Sequence, residues 1–143
     1  MDQGAFIRDL IGKRWERGAT GPDAWDCGSL TAHVQQQLFG RTLPVTMADY
    51  AGLTSAEALR QALLEVDIAA VWPARPKGEK WAHGDVIVLR RGAYCHVGTW
   101  LKIARPGRLL HAARHEGVRL QDRVSLLAQG WTSVEACRPG GTA

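Results

Sequence analysis

The apolar residues of this 143-residue chain change their spacing near the middle, and this change limits the folds open to it. Up to residue 66 they recur every three to four positions, which is the period of an amphipathic helix. Beyond that point they form short β-prone runs between turns that contain Gly or Pro. Helices followed by strands predict an α+β fold, with N-terminal helices packed on an antiparallel β-sheet. We expect one domain over residues 1–143, with 137–143 as a frayed tail.

Helix signals divide the first half of the chain. The predicted helices cover residues 3–12, 27–39 and 55–66. Asp26 is the expected N-cap of the second helix and Gly40 its expected stop. Residues 12–21 are expected to form an ordered loop, and residues 41–53 an irregular connection.

Five strands are predicted in the second half, after a short β-prone run at 68–72 and a loop at 73–80. The predicted strands cover residues 85–90, 94–103, 109–113, 117–120 and 131–137. Turns are expected at 91–93 and 106–107. Residues 122–129 are expected to form one or two helical turns.

A cysteine opens the second predicted helix, behind the turn-forming residues Gly-Pro-Asp-Ala-Trp-Asp at 21–26. At a helix N-terminus the unpaired backbone N–H groups and the macrodipole favour a thiolate, which is the nucleophilic form of cysteine. This position therefore predicts Cys27 to be a nucleophile with a lowered pKa, and it requires a base elsewhere. Asp26 is expected to be a helix cap rather than a catalytic acid.

Two of the five histidines lie within apolar, strand-like runs. Neighbouring strands can bring the rings of His96 and His111 to one spot on the same face of a sheet. His96 would then deprotonate Cys27, and His111 would orient the His96 ring. Spacing alone equally allows two hydrogen-bonded histidines in a half-buried sheet. The other histidines are expected at the surface, in loops or in packing: His33, His83 and His115.

Zinc bound by Cys27, His96 and His111 ranks lower, because their spacing matches no zinc signature. No metal and no cofactor is predicted. The three cysteines form no Cys-x-x-Cys pair, which favours free thiols in a reducing compartment. Cys95 and Cys137 are expected to be buried and inert, Cys95 because it points to the strand face opposite His96.

The net charge of +4 comes from scattered basic residues, and no nucleic-acid-binding motif accompanies them. No apolar run is long enough to span a membrane, and the N-terminus lacks the layout of a signal peptide. Neither nucleic acid nor a membrane is therefore expected as a partner. The charge predicts at most a bias toward anionic polymers.

Four motifs, in this order, resemble the NlpC/p60 cysteine peptidases. They are Asp26-Cys27 opening a helix, Gly84-Asp85-Val86 opening a strand, His96-Val97-Gly98, and Leu110-His111-Ala112. The entry into Cys27 and the helix end Leu38-Phe39-Gly40 are similar to the phage-tail branch of that family. The resemblance extends roughly from Ile11 to Leu120.

This resemblance implies a papain-like NlpC/p60 fold with the catalytic cysteine at a helix N-terminus and a triad of Cys27, His96 and His111. It implies hydrolysis of peptidoglycan stem peptides, typically beside D-glutamate and the dibasic residue. It also implies a phage or prophage tail component, located in the virion tail or in the bacterial cytoplasm before assembly, with other tail proteins as partners.

The expected substrate-binding residues are Trp25, Gly28 and Ser29. The family usually has Ser or Trp and then Gly after the cysteine, so Gly28-Ser29 departs from its pattern. This departure favours an alternative, a catalytically silent tail-assembly domain of the same fold. A third function is an acyltransferase or another amidase that uses the same thiol and base. Four tryptophans are candidates for a substrate groove, although most are expected in the core: Trp15, Trp25, Trp81 and Trp100.

Overall fold

The computed structural model of the chain describes residues 2–43, 74–91, 94–103 and 105–139. Within these ranges the protein is α+β, with helices and a five-stranded antiparallel sheet, as predicted. Several predicted segments lie wholly or partly outside the described residues: the helix at 55–66, the run at 68–72, the connection at 41–53, the turn at 91–93 and the end of the tail. Of the helices within the described ranges, none combines the length and the apolar character needed to cross a membrane.

The helices and strands within these ranges are numbered here in chain order. The helices are α1 (Gln3–Leu10), α2 (Cys27–Phe39) and α3 (Arg123–Ala128). The strands are β1 (Arg14–Trp15), β2 (Ala24–Trp25), β3 (Val86–Arg91), β4 (Tyr94–Leu101), β5 (Arg108–Ala113), β6 (Gly117–Gln121) and β7 (Thr132–Cys137). The short parallel pair β1–β2 was not predicted, because two-residue strands carry no periodicity.

Helix α2 begins and ends where its capping residues predict. The Asp26 carboxylate accepts a hydrogen bond from the backbone N–H of Ser29 at 2.8 Å, and the Asp26 N–H donates to the Ser29 hydroxyl at 3.3 Å. This reciprocal capping box satisfies donors that the first helical turn leaves unpaired. At the other end Gly40 adopts a left-handed conformation (φ 63°), which glycine tolerates at little cost.

The strand order in the large sheet is β6-β5-β4-β3-β7. Strands β3 to β6 form the predicted meander, and β7 returns to pair with the free edge of β3. The strand order therefore places β4 at the centre of the sheet, with His96 near its middle.

The two faces of the sheet bury separate clusters. Leu30 and Val34 of α2 pack with Leu110 of β5 on one face, where Gln35 also donates a hydrogen bond to Thr99 of β4. Because side chains alternate along a strand, His96 projects from the opposite face. That second face is covered by α3 and by two tryptophans, Trp81 and Trp131, which are buried in the second cluster.

Candidate active site

The imidazole rings of His96 and His111 meet on the second face of the sheet. His96 Nε2 lies 2.7 Å from His111 Nδ1, which is hydrogen-bonding distance. Both residues are buried, at 2% and 0% exposure. The predicted meeting of the two rings is confirmed, because they project from neighbouring antiparallel strands to the same side.

Gly98 makes room for this contact. Extending the β4–β5 register by one pair beyond Thr99–Leu110 places Gly98 opposite His111. A Cβ atom at position 98 would lie 2.9 Å from His111 Cβ and equally close to Cγ and Cδ1 of Leu109, closer than real Cβ contacts allow. The glycine of the His96-Val97-Gly98 motif therefore lets His111 come close enough for its ring to reach His96.

A third polar side chain extends the pair. His111 Nε2 lies 2.7 Å from Oε1 of Gln121, the last residue of β6. Gln121 is only 3% exposed. The sequence does not single it out, because a lone glutamine one residue beyond a predicted strand end matches no catalytic motif.

The ring of His96 is also held from its other side. It stacks on the indole of Trp131, with 4.9 Å between the ring centroids and 28° between the planes. The guanidinium of Arg91 lies over that indole, 4.4 Å from its centroid.

Burial, together with the neighbouring His111 and Arg91, holds the pKa of His96 well below its ordinary value. Burial likewise lowers the pKa of His111 to about 4, so both rings are neutral at pH 7.

Cys27 approaches β4 from the side of α2. It is the first residue of α2 and is half-buried. The backbone N–H of Val97, the residue after His96, is directed at its thiol. The thiol thus lies beside the backbone of the strand that carries His96.

The prediction of a lowered cysteine pKa is wrong. Burial, followed by the charge of Asp26, raises the pKa of the Cys27 thiol to about 12. The Val97 N–H and the N–H groups of the first helical turn favour the thiolate, but they do not compensate for the lost solvation. The resting site therefore holds a neutral thiol and a neutral imidazole.

The second ring nitrogen of His96, Nδ1, faces away from the contact with His111. Within the described parts of the chain, His96 Nδ1 is buried without a hydrogen bond, so none joins it to Cys27. A buried ring nitrogen normally has a hydrogen-bond partner, and its absence costs free energy. Because His96 projects from the face opposite α2, transfer of a proton from Cys27 to this nitrogen requires the thiol to move toward it.

The three expected substrate-binding residues lie at the entry to α2. The Ser29 hydroxyl donates to the carbonyl of Ala19 at 2.6 Å and takes part in the capping box, so its polar atoms are used within the fold. Trp25 is 5% exposed and packs against His33, with 4.6 Å between ring centroids. Gly28 is buried in the first turn of the helix.

A groove of about 580 Å³ opens beside Trp25, away from the histidine pair. Its lining residues are Phe6, Asp9, Leu10, Lys13, Thr20, Gly21, Pro22, Trp25 and His33. Cys27 does not line this groove. The structure thus brings His96 and His111 together on the second face of the sheet. Cys27 lies on the side of α2, beside the backbone of Val97, and Trp25 faces a different region.

The remaining candidates occupy ordinary structural positions. His33 stacks between Phe6 and Trp25, and His83 accepts a hydrogen bond from the backbone of Lys102. Trp81 and Trp100 belong to the second buried cluster. Cys137 is buried as predicted, at 1% exposure, and the side chain of Cys95 lies outside the described residues.

The hydrogen bond between His96 and His111 argues against the zinc alternative. His96 Nε2 and His111 Nδ1 are bonded to each other, so neither nitrogen is turned toward a shared ion. No cluster of three or more His, Cys, Asp or Glu side chains in the described ranges is arranged to hold a metal.

No protein-family model matches the chain, and no curated protein matches it.

Proposed function

We propose that this chain is a cysteine peptidase or amidase with a papain-like NlpC/p60 fold, which hydrolyses peptidoglycan stem peptides. Cys27 is the nucleophile, His96 the base and His111 the residue that orients the base. One observation carries the proposal: Nδ1 of His96 has no hydrogen-bond partner among the described residues, while the ring is anchored through Nε2. The next residue, Val97, directs its backbone N–H at the Cys27 thiol.

The proposed reaction begins with a neutral thiol and a neutral imidazole, because the pKa of Cys27 is raised and that of His96 lowered. His96 Nδ1 takes the thiol proton as the sulfur attacks the carbonyl carbon of the peptide bond. The backbone N–H of Cys27 stabilises the resulting oxyanion. His96 then donates its proton to the leaving amine, and a thioester forms. Water activated by His96 releases the acyl product and restores the thiol.

The stem-peptide substrate and the place in a phage or prophage tail rest on the motif resemblance. An α2 helix that carries the cysteine at its N-terminus and packs on an antiparallel sheet supports the papain-like assignment. Other tail proteins would be partners of the chain in this setting.

A second candidate function, a catalytically silent tail-assembly domain of the same fold, is favoured by the enclosure of the site. His96 is 2% exposed and stacked on Trp131, and the pKa of Cys27 is raised to about 12. A substrate has to reach a site that is largely closed in its resting state.

Digestion of purified peptidoglycan separates the two functions. The wild-type chain should release stem-peptide fragments, detected by mass spectrometry, and Cys27→Ala should not. His115→Asn is a matched control, because His115 is exposed and its positive φ of 71° suits asparagine. Equal release by wild type and Cys27→Ala would exclude the enzymatic proposal. A folded wild-type chain that releases nothing from walls of several types would favour the structural alternative.

A further inference from the structure

We propose that Gln121 is a positioning residue of the site: its side-chain carbonyl holds a proton on Nε2 of His111 and thereby leaves the lone pair of His96 on Nδ1. This role deepens the proposed function, because it determines which nitrogen of the base is free to meet Cys27.

The orientation of the Gln121 amide follows from its other contacts. Its Nε2 donates to the Ser125 hydroxyl at 3.1 Å and to Oε1 of Gln129 at 3.1 Å. These two bonds use both amide hydrogens, and Oε1 is left to face His111 at 2.7 Å. A flipped Gln121 amide would direct its oxygen at the Gln129 oxygen, so the Gln129 amide would have to flip with it.

This orientation of the Gln121 amide determines which ring nitrogen of each histidine carries a proton. Since Oε1 of Gln121 can only accept, His111 must donate through Nε2. A neutral imidazole carries one proton, so Nδ1 of His111 is an acceptor, and His96 must donate to it through Nε2. Nδ1 of His96 therefore carries the lone pair, and this is the nitrogen that has no hydrogen-bond partner among the described residues.

An amide suits this position better than a carboxylate would. Gln121 and His111 are both buried, and an ionised group there would need a compensating charge. A neutral acceptor imposes the tautomer and leaves the pair uncharged. The three side chains thus form a directed chain of hydrogen bonds that starts on α3 and β6 and ends at Nδ1 of His96.

The tautomers can be measured directly by ¹⁵N NMR of histidine-labelled full-length protein at pH 7, without substrate. In the wild-type chain both His96 and His111 should be protonated on Nε2 and unprotonated on Nδ1. In Gln121→Leu this preference should be lost, so that both rings show mixed or inverted tautomers. In Gln121→Glu the ionised carboxylate can only accept, so a proton should stay on Nε2 of His111, and the added charge should favour a second proton on its Nδ1.

Gln35→Leu is the matched control, because Gln35 is also fully buried but bonds to Gly84 and Thr99 on the other face of the sheet. It should change stability and leave both tautomers unchanged. A wild-type His111 protonated on Nδ1 would overturn the proposal, as would wild-type tautomers in folded Gln121→Leu. If Gln121→Leu does not fold, the spectra of the wild type and of Gln121→Glu decide whether residue 121 fixes the proton on Nε2 of His111.

Failure of this inference is distinguishable from failure of the proposed function, since the spectra require no turnover. Where turnover is observed, Gln121→Leu should reduce it by roughly 10- to 100-fold, the range found for groups that orient metal-bound imidazoles. An unchanged rate in a variant with altered tautomers would also overturn the positioning role.

Discussion

The imidazole of His96 stacks on the indole of Trp131, with ring centroids 4.9 Å apart and planes inclined by 28°. Trp131 lies just before β7, and β7 reaches this position only because it pairs with the outer edge of β3. The residue proposed as the base is therefore held by an element distant from it in sequence.

Trp131→Ala should open this side of the His96 ring to water. We expect a loss of roughly 3–5 kcal/mol in the free energy of unfolding, as for other buried tryptophans. In the fraction that stays folded, the pKa of His96 should rise toward its ordinary value, because burial is the main cause of its depression. Urea denaturation and NMR titration of His96 measure the two effects. An unchanged His96 pKa would contradict the role of Trp131 in keeping the ring dry.

Gly98→Ala should push His111 away from His96, because the new Cβ would lie 2.9 Å from His111 Cβ. Overpacking of this kind costs about 1–3 kcal/mol, and turnover should fall as the hydrogen bond between the rings is disturbed. Gly4→Ala in α1 is the control, since its Cβ meets mainly the flexible side chain of Arg8. It should be neutral or slightly stabilising. Equal stability of both variants in denaturant titrations would show that β4 and β5 do not need the glycine.

Acidification should destabilise the folded chain through His111. Its pKa is lowered from 6.5 to about 4 in the folded state. Between these values the unfolded chain binds more protons, so the free energy of unfolding falls as the pH is lowered from 6.5 toward 4. The contribution of His111 is roughly 3 kcal/mol, and His96 acts in the same direction. Urea midpoints across this window should show a shallower pH dependence in His111→Gln. An identical dependence in the two proteins would contradict the depressed pKa.

Alkylation of Cys27 should accelerate steadily with pH. Because the pKa of the Cys27 thiol is raised to about 12, the reactive thiolate is scarce at neutral pH. The rate of reaction with iodoacetamide, followed by mass spectrometry of the Cys27 peptide, should still be rising at pH 10. A plateau below pH 8 would indicate a preformed thiolate, and the neutral resting state would then be wrong.

Local signals in the sequence correctly predict the helix that begins with Cys27. Asp26 and Gly40 delimit α2 because capping involves only residues a few positions apart. Strand alternation allows His96 and His111 to share a face, and the observed register of β4 and β5 decides that they do.

The remaining features of the site depend on packing between segments that are distant in the sequence. The pairing of β7 with β3, and with it the stacking of Trp131 on His96, depends on contacts between distant segments. Gln121 acquires its role only when β6 lies beside β5. The raised pKa of Cys27 also follows from burial in the assembled fold, which a helix N-terminus considered alone does not predict.

The central claim, that Cys27 and His96 act as one catalytic unit, is tested most directly by a double-mutant cycle. Rates of stem-peptide release are compared for wild type, Cys27→Ala, His96→Asn and the double variant, each verified to be folded. We predict that each single change reduces the rate at least about 1000-fold and that the double variant loses little more, since members of one unit are not additive. Independent, multiplying losses, or a single variant as active as wild type, would contradict the account.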